Sequence, residues 1–312
     1  MNWRVKGVTQ KMLSSLPGGL TLNTWLQTAL GDLRDFEGAI AGKIQDWVQS
    51  MKYLSDAGAS IKGVHMMEIG TGWFPVLPVC FVLAGADSVA TFDIVPHLTA
   101  GGMRRLLKAL GKHIPLISET AQLSPKSLSE RLELLSRATS LKEQLNVGHI
   151  NYFAPADAGS TGLESNSMDI VYSNSVFEHV PKETIRQLMV ESYRVLKSGG
   201  VAMHNIGCND HYAFFDKSIS FVNYLQFSEK EWRFWNNSLL YQNRLRAPEL
   251  LQLLSGAGFE ITAHRTNVRP GTLEGLRSIR IAPEFRTFSE EDLVITTSDL
   301  VGRKPILNSA PQ

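Results

Sequence analysis

Two acid–histidine pairs, Glu178-His179 and Asp210-His211, and a lone His204 carry the titratable chemistry of the central part of the chain. A histidine beside a carboxylate at a pocket mouth can take a proton from a hydroxyl or amine, so His211, with Asp210, is the leading general-base candidate and His179 the next. His204 falls inside a strand pattern, where a core role competes with a chemical one. His204, Asp210 and His211 have no spacing diagnostic of metal ligation, and no metal is expected. The run Tyr241-Gln242-Asn243-Arg244-Leu245-Arg246 is dense in polar groups, and Tyr241, Asn243 and Arg244 are candidates to bind an anionic part of a substrate. A capping and ion-pair role before the next helix is the competing reading. Cys208 has no basic partner in sequence and is not expected to be a nucleophile.

The element that must position such groups lies upstream. Val64–Ile69 reads as a buried strand, and Gly70 and Gly72 follow it where the backbone has to turn and admit a ligand closely. Glu68 sits at the strand tip. Asp93 closes the next strand, where a carboxylate can hold both hydroxyls of a ribose. A dinucleotide fingerprint needs a third glycine at position 75, which is Pro75 here, so NAD and FAD are disfavoured.

Strands and helices alternate through the middle of the chain, which predicts an α/β fold with a doubly wound, mostly parallel sheet of seven strands. Helices are expected over His97–Leu110, Pro125–Leu145, from Pro181 to a glycine stop at Gly199-Gly200, and over Ala247–Gly258. Strands are expected over Ile150–Phe153, Val201–Ile206, Phe259–Thr266 and Asp292–Val301. Leu22, Leu26, Leu30, Leu33, Ile40, Ile44, Val48 and Met51 describe amphipathic helices forming an N-terminal helical cap over residues 1–60, with Trp25, Gln27 and Trp47 able to face a pocket. Residues 61–312 then form the ligand-binding catalytic domain, with an irregular aromatic insertion at 207–246.

The motif Glu68-Ile-Gly-Thr-Gly72 with Asp93 downstream resembles the first two motifs of the class I, Rossmann-like S-adenosylmethionine-dependent methyltransferases. Ala156-Asp157 resembles the adenine-contacting acid of that family. Met168-Asp-Ile-Val-Tyr-Ser-Asn-Ser-Val-Phe-Glu-His-Val-Pro181 resembles its fourth-strand motif, and Tyr193-Arg-Val-Leu-Lys-Ser-Gly-Gly-Val-Ala-Met203 its helix, turn and fifth strand. The likeness is close over roughly residues 60–206 and does not reach the N-terminal segment. It implies S-adenosylmethionine as cofactor, with Glu68, Gly70 and Gly72 holding the methionine part, Asp93 the ribose, Asp157 the adenine amino group, and Asn174 lining the pocket beneath the sulfonium.

The activity implied is methyl transfer to the oxygen or nitrogen of a small molecule in cytoplasmic, secondary metabolism. The alternative is a reaction that consumes S-adenosylmethionine itself, closing a small ring such as azetidine-2-carboxylate and releasing methylthioadenosine. A non-catalytic binding module is disfavoured because the acid positions are intact. The 31 lysines and arginines balance 30 acids, a net charge of +1, which gives no electrostatic case for nucleic acid or an anionic membrane as partner. Two cysteines suit a reducing compartment better than a disulfide framework. A monomer or homodimer is expected.

Overall fold

Strands β1 (His65–Ile69) and β2 (Ser88–Phe92) are buried on nearly every residue, apolar on both faces. Such strands are stable only in a sheet covered by helices on both sides. The computed structural model, which describes residues 2–14, 35–237, 239 and 241–306, has that arrangement. Its seven-stranded sheet has the order β3-β2-β1-β4-β5-β7-β6, with β3 (Ile150–Phe153), β4 (Met168–Asn174), β5 (Leu196–Gly207), β6 (Glu260–Asn267) and β7 (Thr297–Arg303). The five strands from β3 across to β5 run parallel, and β7 is antiparallel to both β5 and β6. The chain leaves β1 toward β2 and β3, then returns to β1's other side with β4. In an open sheet, ligands bind at the carboxyl edge of such a reversal.

Met66 and Met67 show how alternation splits the core. Met66 joins one cluster with α2 (Phe36–Asp56), α3 (Val76–Ala84), α4 (Ala100–Leu110), α5 (Ile114–Ala121) and α6 (Pro125–Arg137). Met67 faces the other side, against α8 (Lys182–Val195) and α10 (Ala247–Gly256). Between these pairs lie α7 (Leu141–Val147) and, in the insertion, α9 (Glu229–Trp235). A third cluster gathers Tyr212, Tyr224, Trp232 and Phe285 with Trp3 of α1 (Trp3–Ser14).

Helices α1 and α2 therefore do not share a layer. Helix α2 covers the sheet, with Ile40, Ile44 and Trp47 fully buried and the Trp47 ring edge-on to Phe81 at 6.3 Å. Trp47 is thus a core residue, and Trp25, Gln27 and the leucines from Leu22 to Leu33 lie outside the described residues. Helix α1 packs on the aromatic insertion instead, its Trp3 ring 4.6 Å from that of Trp235.

Local capping explains the other shifts from the sequence expectation. Thr99 Oγ1 accepts the Gly102 N–H at 3.0 Å, so α4 begins at Ala100 rather than at His97. The expected helix over Pro125–Leu145 is divided because Ser140 caps a new one, accepting from Glu143 N–H at 3.2 Å. Ser289 likewise caps α12 (Glu290–Leu293), with α11 (Thr272–Arg277) before it, so the last strand starts only at Thr297. Within the supposedly irregular insertion, a reciprocal Ser228–Glu231 capping box opens α9.

Candidate active site

The register puts the ends of the central strands in one row. Ile69 pairs with Phe92 on one side and Ser173 on the other, so Gly70, Asp93 and Asn174 emerge side by side at the carboxyl edge. Gly70 and Gly72 are both left-handed, at φ 82° and 66°, but for different reasons. A Cβ on Gly70 would overlap the side chain of Val176, whereas a Cβ on Gly72 would meet nothing within 4 Å. Gly70 lets two strand tips pack, whereas the space beside the Gly72 Cα is open.

Asp93 is fixed by the turn it serves. Its Oδ2 accepts the Gly72 N–H at 2.8 Å and its Oδ1 the Val95 N–H at 2.9 Å, leaving further lone pairs on both oxygens for hydroxyl donors. The Ala156 N–H donates to the Asp93 carbonyl at 2.9 Å, which draws the Asp157 loop beside it. Asp157 is exposed, with Oδ1 accepting the Gly159 N–H at 2.7 Å. Next to Asp93 in the chain, Ile94 stands 74% exposed, an apolar face that sequence reasoning missed because one isoleucine after a strand has no pattern.

Glu68 is not a free carboxylate at the strand tip. It is 4% exposed and its Oε2 accepts the Thr91 hydroxyl at 2.5 Å, with Thr71 hydrogen-bonded to Thr91 behind it. Burial pushes its pKa up to about 8, only partly offset by the Thr91 hydroxyl and the Lys43 ammonium. Lys43, on α2, donates to Asn174 Oδ1 at the tip of β4 and lies 3.6 Å from Asp46. It too was missed, because α2 reads only as an apolar stripe. The next residue, Ser175, is left-handed at φ 57°, the kind of local strain that gathers at functional sites.

The structure brings together His179 and His211, whose ring centroids are 4.9 Å apart. The segment Tyr241–Asn243 holds them there. The Tyr241 carbonyl binds His179 Nδ1 at 3.0 Å, and Gln242 Oε1 accepts the His211 N–H at 3.2 Å. Burial, with His179 and Lys6 nearby, lowers His211 to about 3, so its imidazole is neutral.

Asp210 does not join this pair. It is fully buried, and its oxygens accept from Tyr212 N–H and Asn223 Nδ2, each at 2.9 Å. Burial raises its pKa to about 6. His204 lies in the core, stacked on Phe177 at 4.5 Å and bonded to Ser173, its pKa lowered by burial to about 3. Arg244 also points elsewhere: its guanidinium donates to the carbonyls of Tyr224 and Phe227 and pairs with Glu229 at 2.9 Å, which leaves it no reach toward an anionic substrate. The Asn243 amide is likewise occupied, by the carbonyls of Phe177 and Val180.

A family model described as "Methyltransferase domain" matches residues 127–204, the stretch that carries β3, β4, α8 and most of β5. The sheet order, with its antiparallel β7 inserted between β5 and β6, frames that match. The chain carries the class I S-adenosylmethionine-dependent methyltransferase fold. Solved methyltransferases of similar outline include the geranyl diphosphate C-methyltransferase of Streptomyces coelicolor A3(2), at 13% identity over 89% of this chain and 87% of that one, with a TM-score of 0.46. A SAM-dependent methyltransferase from Methanosarcina mazei is 16% identical over 78% of this chain and 94% of its own, with a TM-score of 0.43. A putative sarcosine dimethylglycine methyltransferase from Galdieria sulphuraria is 16% identical over 84% and 86%, with a TM-score of 0.44. No curated protein matches the sequence. The carboxyl edge offers open space beside the Gly72 Cα, two acids pinned by backbone N–H groups, and the exposed Ile94 side chain. No described helix is long and apolar enough to cross a membrane.

Proposed function

We propose that the protein transfers a methyl group from S-adenosylmethionine to an oxygen or nitrogen of a small-molecule acceptor. The row of Gly70, Asp93 and Asn174 at the sheet reversal, with the Gly72 N–H bonded to Asp93, is the observation that carries this reading. When bound, the cofactor supplies an electrophilic methyl on a sulfonium. Asp93 receives the ribose hydroxyls with the lone pairs that Gly72 and Val95 leave free, Ile94 packs on the base, and Asp157 accepts from the adenine amino group. Lys43 pairs with the cofactor's carboxylate, exchanging Asn174 for a charged partner. Glu68 acts through Thr91 and Thr71 to fix the turn that holds the methionine part, since it is itself buried.

The acceptor lies toward His179 and His211, beside the Tyr241 segment whose carbonyl meets His179. The imidazoles take the proton that a hydroxyl or amine acceptor releases on methylation, with Asp210 fixing the loop that carries His211. Balanced charge and two buried free thiols favour a small substrate of cytoplasmic biosynthetic metabolism over a nucleic acid.

Titration calorimetry with S-adenosylhomocysteine tests the reading. The wild-type protein is expected to bind, and Asp93→Ala to lose most of the affinity; a wild type that takes up no heat on titration overturns the proposal. Incubation with S-adenosylmethionine and no acceptor separates the two reactions, because release of methylthioadenosine would assign ring closure instead of methyl transfer.

A further inference from the structure

We infer that Glu178, His179 and His211 form a site for a divalent first-row transition-metal ion. One donor atom from each lies within 4.8 Å of the other two. The three donors would have to close by only about 1 Å, with the Tyr241 segment moving along with His179, to reach the ~4 Å span that ligands ~2.0–2.2 Å from a shared ion require.

Each residue has the state a ligand needs. Glu178 is 3% exposed, and its Oε2 is buried with no hydrogen-bond partner among the described residues. An orphan carboxylate oxygen at such depth is costly unless a cation joins it. His179 Nδ1 lies 3.0 Å from the Tyr241 carbonyl, which can only accept, so Nδ1 carries the proton and the Nε2 lone pair is free. A backbone carbonyl on the far ring nitrogen is the usual support of a metal-bound histidine. His211 is held by its own N–H to Gln242, and its ring stands edge-on to that of His179.

Two imidazoles and a carboxylate suit zinc, iron, cobalt or manganese, and three protein ligands leave positions open for water or an acceptor atom. The Lys6 ammonium beside His211 opposes a dication, which puts the weight of binding on Glu178. With the ion bound the two imidazoles are ligands and no longer free to take a proton, so occupancy replaces their general-base role; the site itself stands on this cluster alone and holds whether or not the methyl-transfer reading does.

Tag-free protein, stripped by a chelator and titrated with Co²⁺ alone, tests it. The expected result is one equivalent bound with visible d–d bands. Affinity should fall at least about tenfold in His179→Ala, whose exposed side chain makes misfolding no obstacle, and in Glu178→Gln, which keeps the volume. Wild-type protein with no d–d band at saturating Co²⁺ overturns the site, and so does unchanged affinity in His179→Ala.

Discussion

Asn243 grips Glu178 through the backbone: its N–H donates to the Glu178 carbonyl at 2.9 Å, and its side-chain amide donates to the carbonyls on either side, Phe177 at 2.6 Å and Val180 at 2.8 Å. Asn243→Ala removes these two bonds and the one its Oδ1 accepts from the Leu245 N–H at 3.2 Å, and is expected to lose about 2 kcal/mol. Asn243→Asp should lose more, because it sets a carboxylate against two carbonyls with nothing to donate. Urea unfolding ranks the pair, and equal losses would show that the amide is not the grip.

The two turn glycines should separate cleanly. Gly70→Ala meets both a left-handed φ and the Val176 side chain, and a loss of roughly 2–4 kcal/mol is expected. Gly72→Ala meets only the φ penalty, about 1–2 kcal/mol, but should weaken S-adenosylhomocysteine binding by more than its stability change suggests. Pairing Gly70→Ala with Val176→Ala in a double-mutant cycle should recover part of the loss. Strict additivity would remove the packing explanation.

Stability should depend on pH from both sides. Glu68, raised from 4.5 to about 8 by burial, is protonated in the folded chain while the unfolded carboxylate ionises, so its contribution is full below pH 4.5 and declines as pH rises toward 8. His204, lowered from 6.5 to about 3 by burial, works the other way, and its contribution is lost as pH falls from 6.5 toward 3. Glu68→Gln should flatten the decline between pH 4.5 and 8 and leave the acid side unchanged. Thermal midpoints across pH check this, and parallel profiles for variant and wild type would refute it.

Arg246 is a fully buried cation held by neutral groups: the carbonyls of Cys208, Asp292, Leu293 and Ile295 and the hydroxyl of Tyr224. It ties the start of α10 to the segments that lead into the insertion and into β7. Arg246→Met strands several of those acceptors, with an expected loss on the order of 3–5 kcal/mol. Arg246→Lys should regain less than half, since a point charge cannot reach acceptors spread around a planar fork. Denaturant midpoints of the three proteins decide it.

The sheet and the row of residues at its carboxyl edge were legible because each rests on local chemistry. Ile150–Phe153 is the strand expected there, and Gly70, Gly72 and Asp93 meet where strand, turn and strand must place them. Chemistry assembled from distant segments was not legible. His179 and His211 come together only through Tyr241–Asn243, a stretch without periodicity whose contacts run through backbone carbonyls and one glutamine amide. The polar patch before α10 has the composition of a ligand clamp, yet Arg244 and Arg246 are buried, because carbonyls can satisfy a guanidinium and leave no trace in the sequence. The place of α1 was not legible either, because its tryptophan pairs with aromatic residues that lie far along the chain.

That pairing sets a schedule for synthesis. Trp3 donates its N–H to Asp216, 213 residues later, and its ring packs on Tyr212, Phe227 and Trp235. At ribosomal speeds of about 5–20 residues per second, α1 waits roughly 10–40 s before its partners exist. Throughout that interval the indole lacks the aromatic partners that bury it in the folded chain, and stays an apolar side chain open to chaperones while the sheet is already assembling.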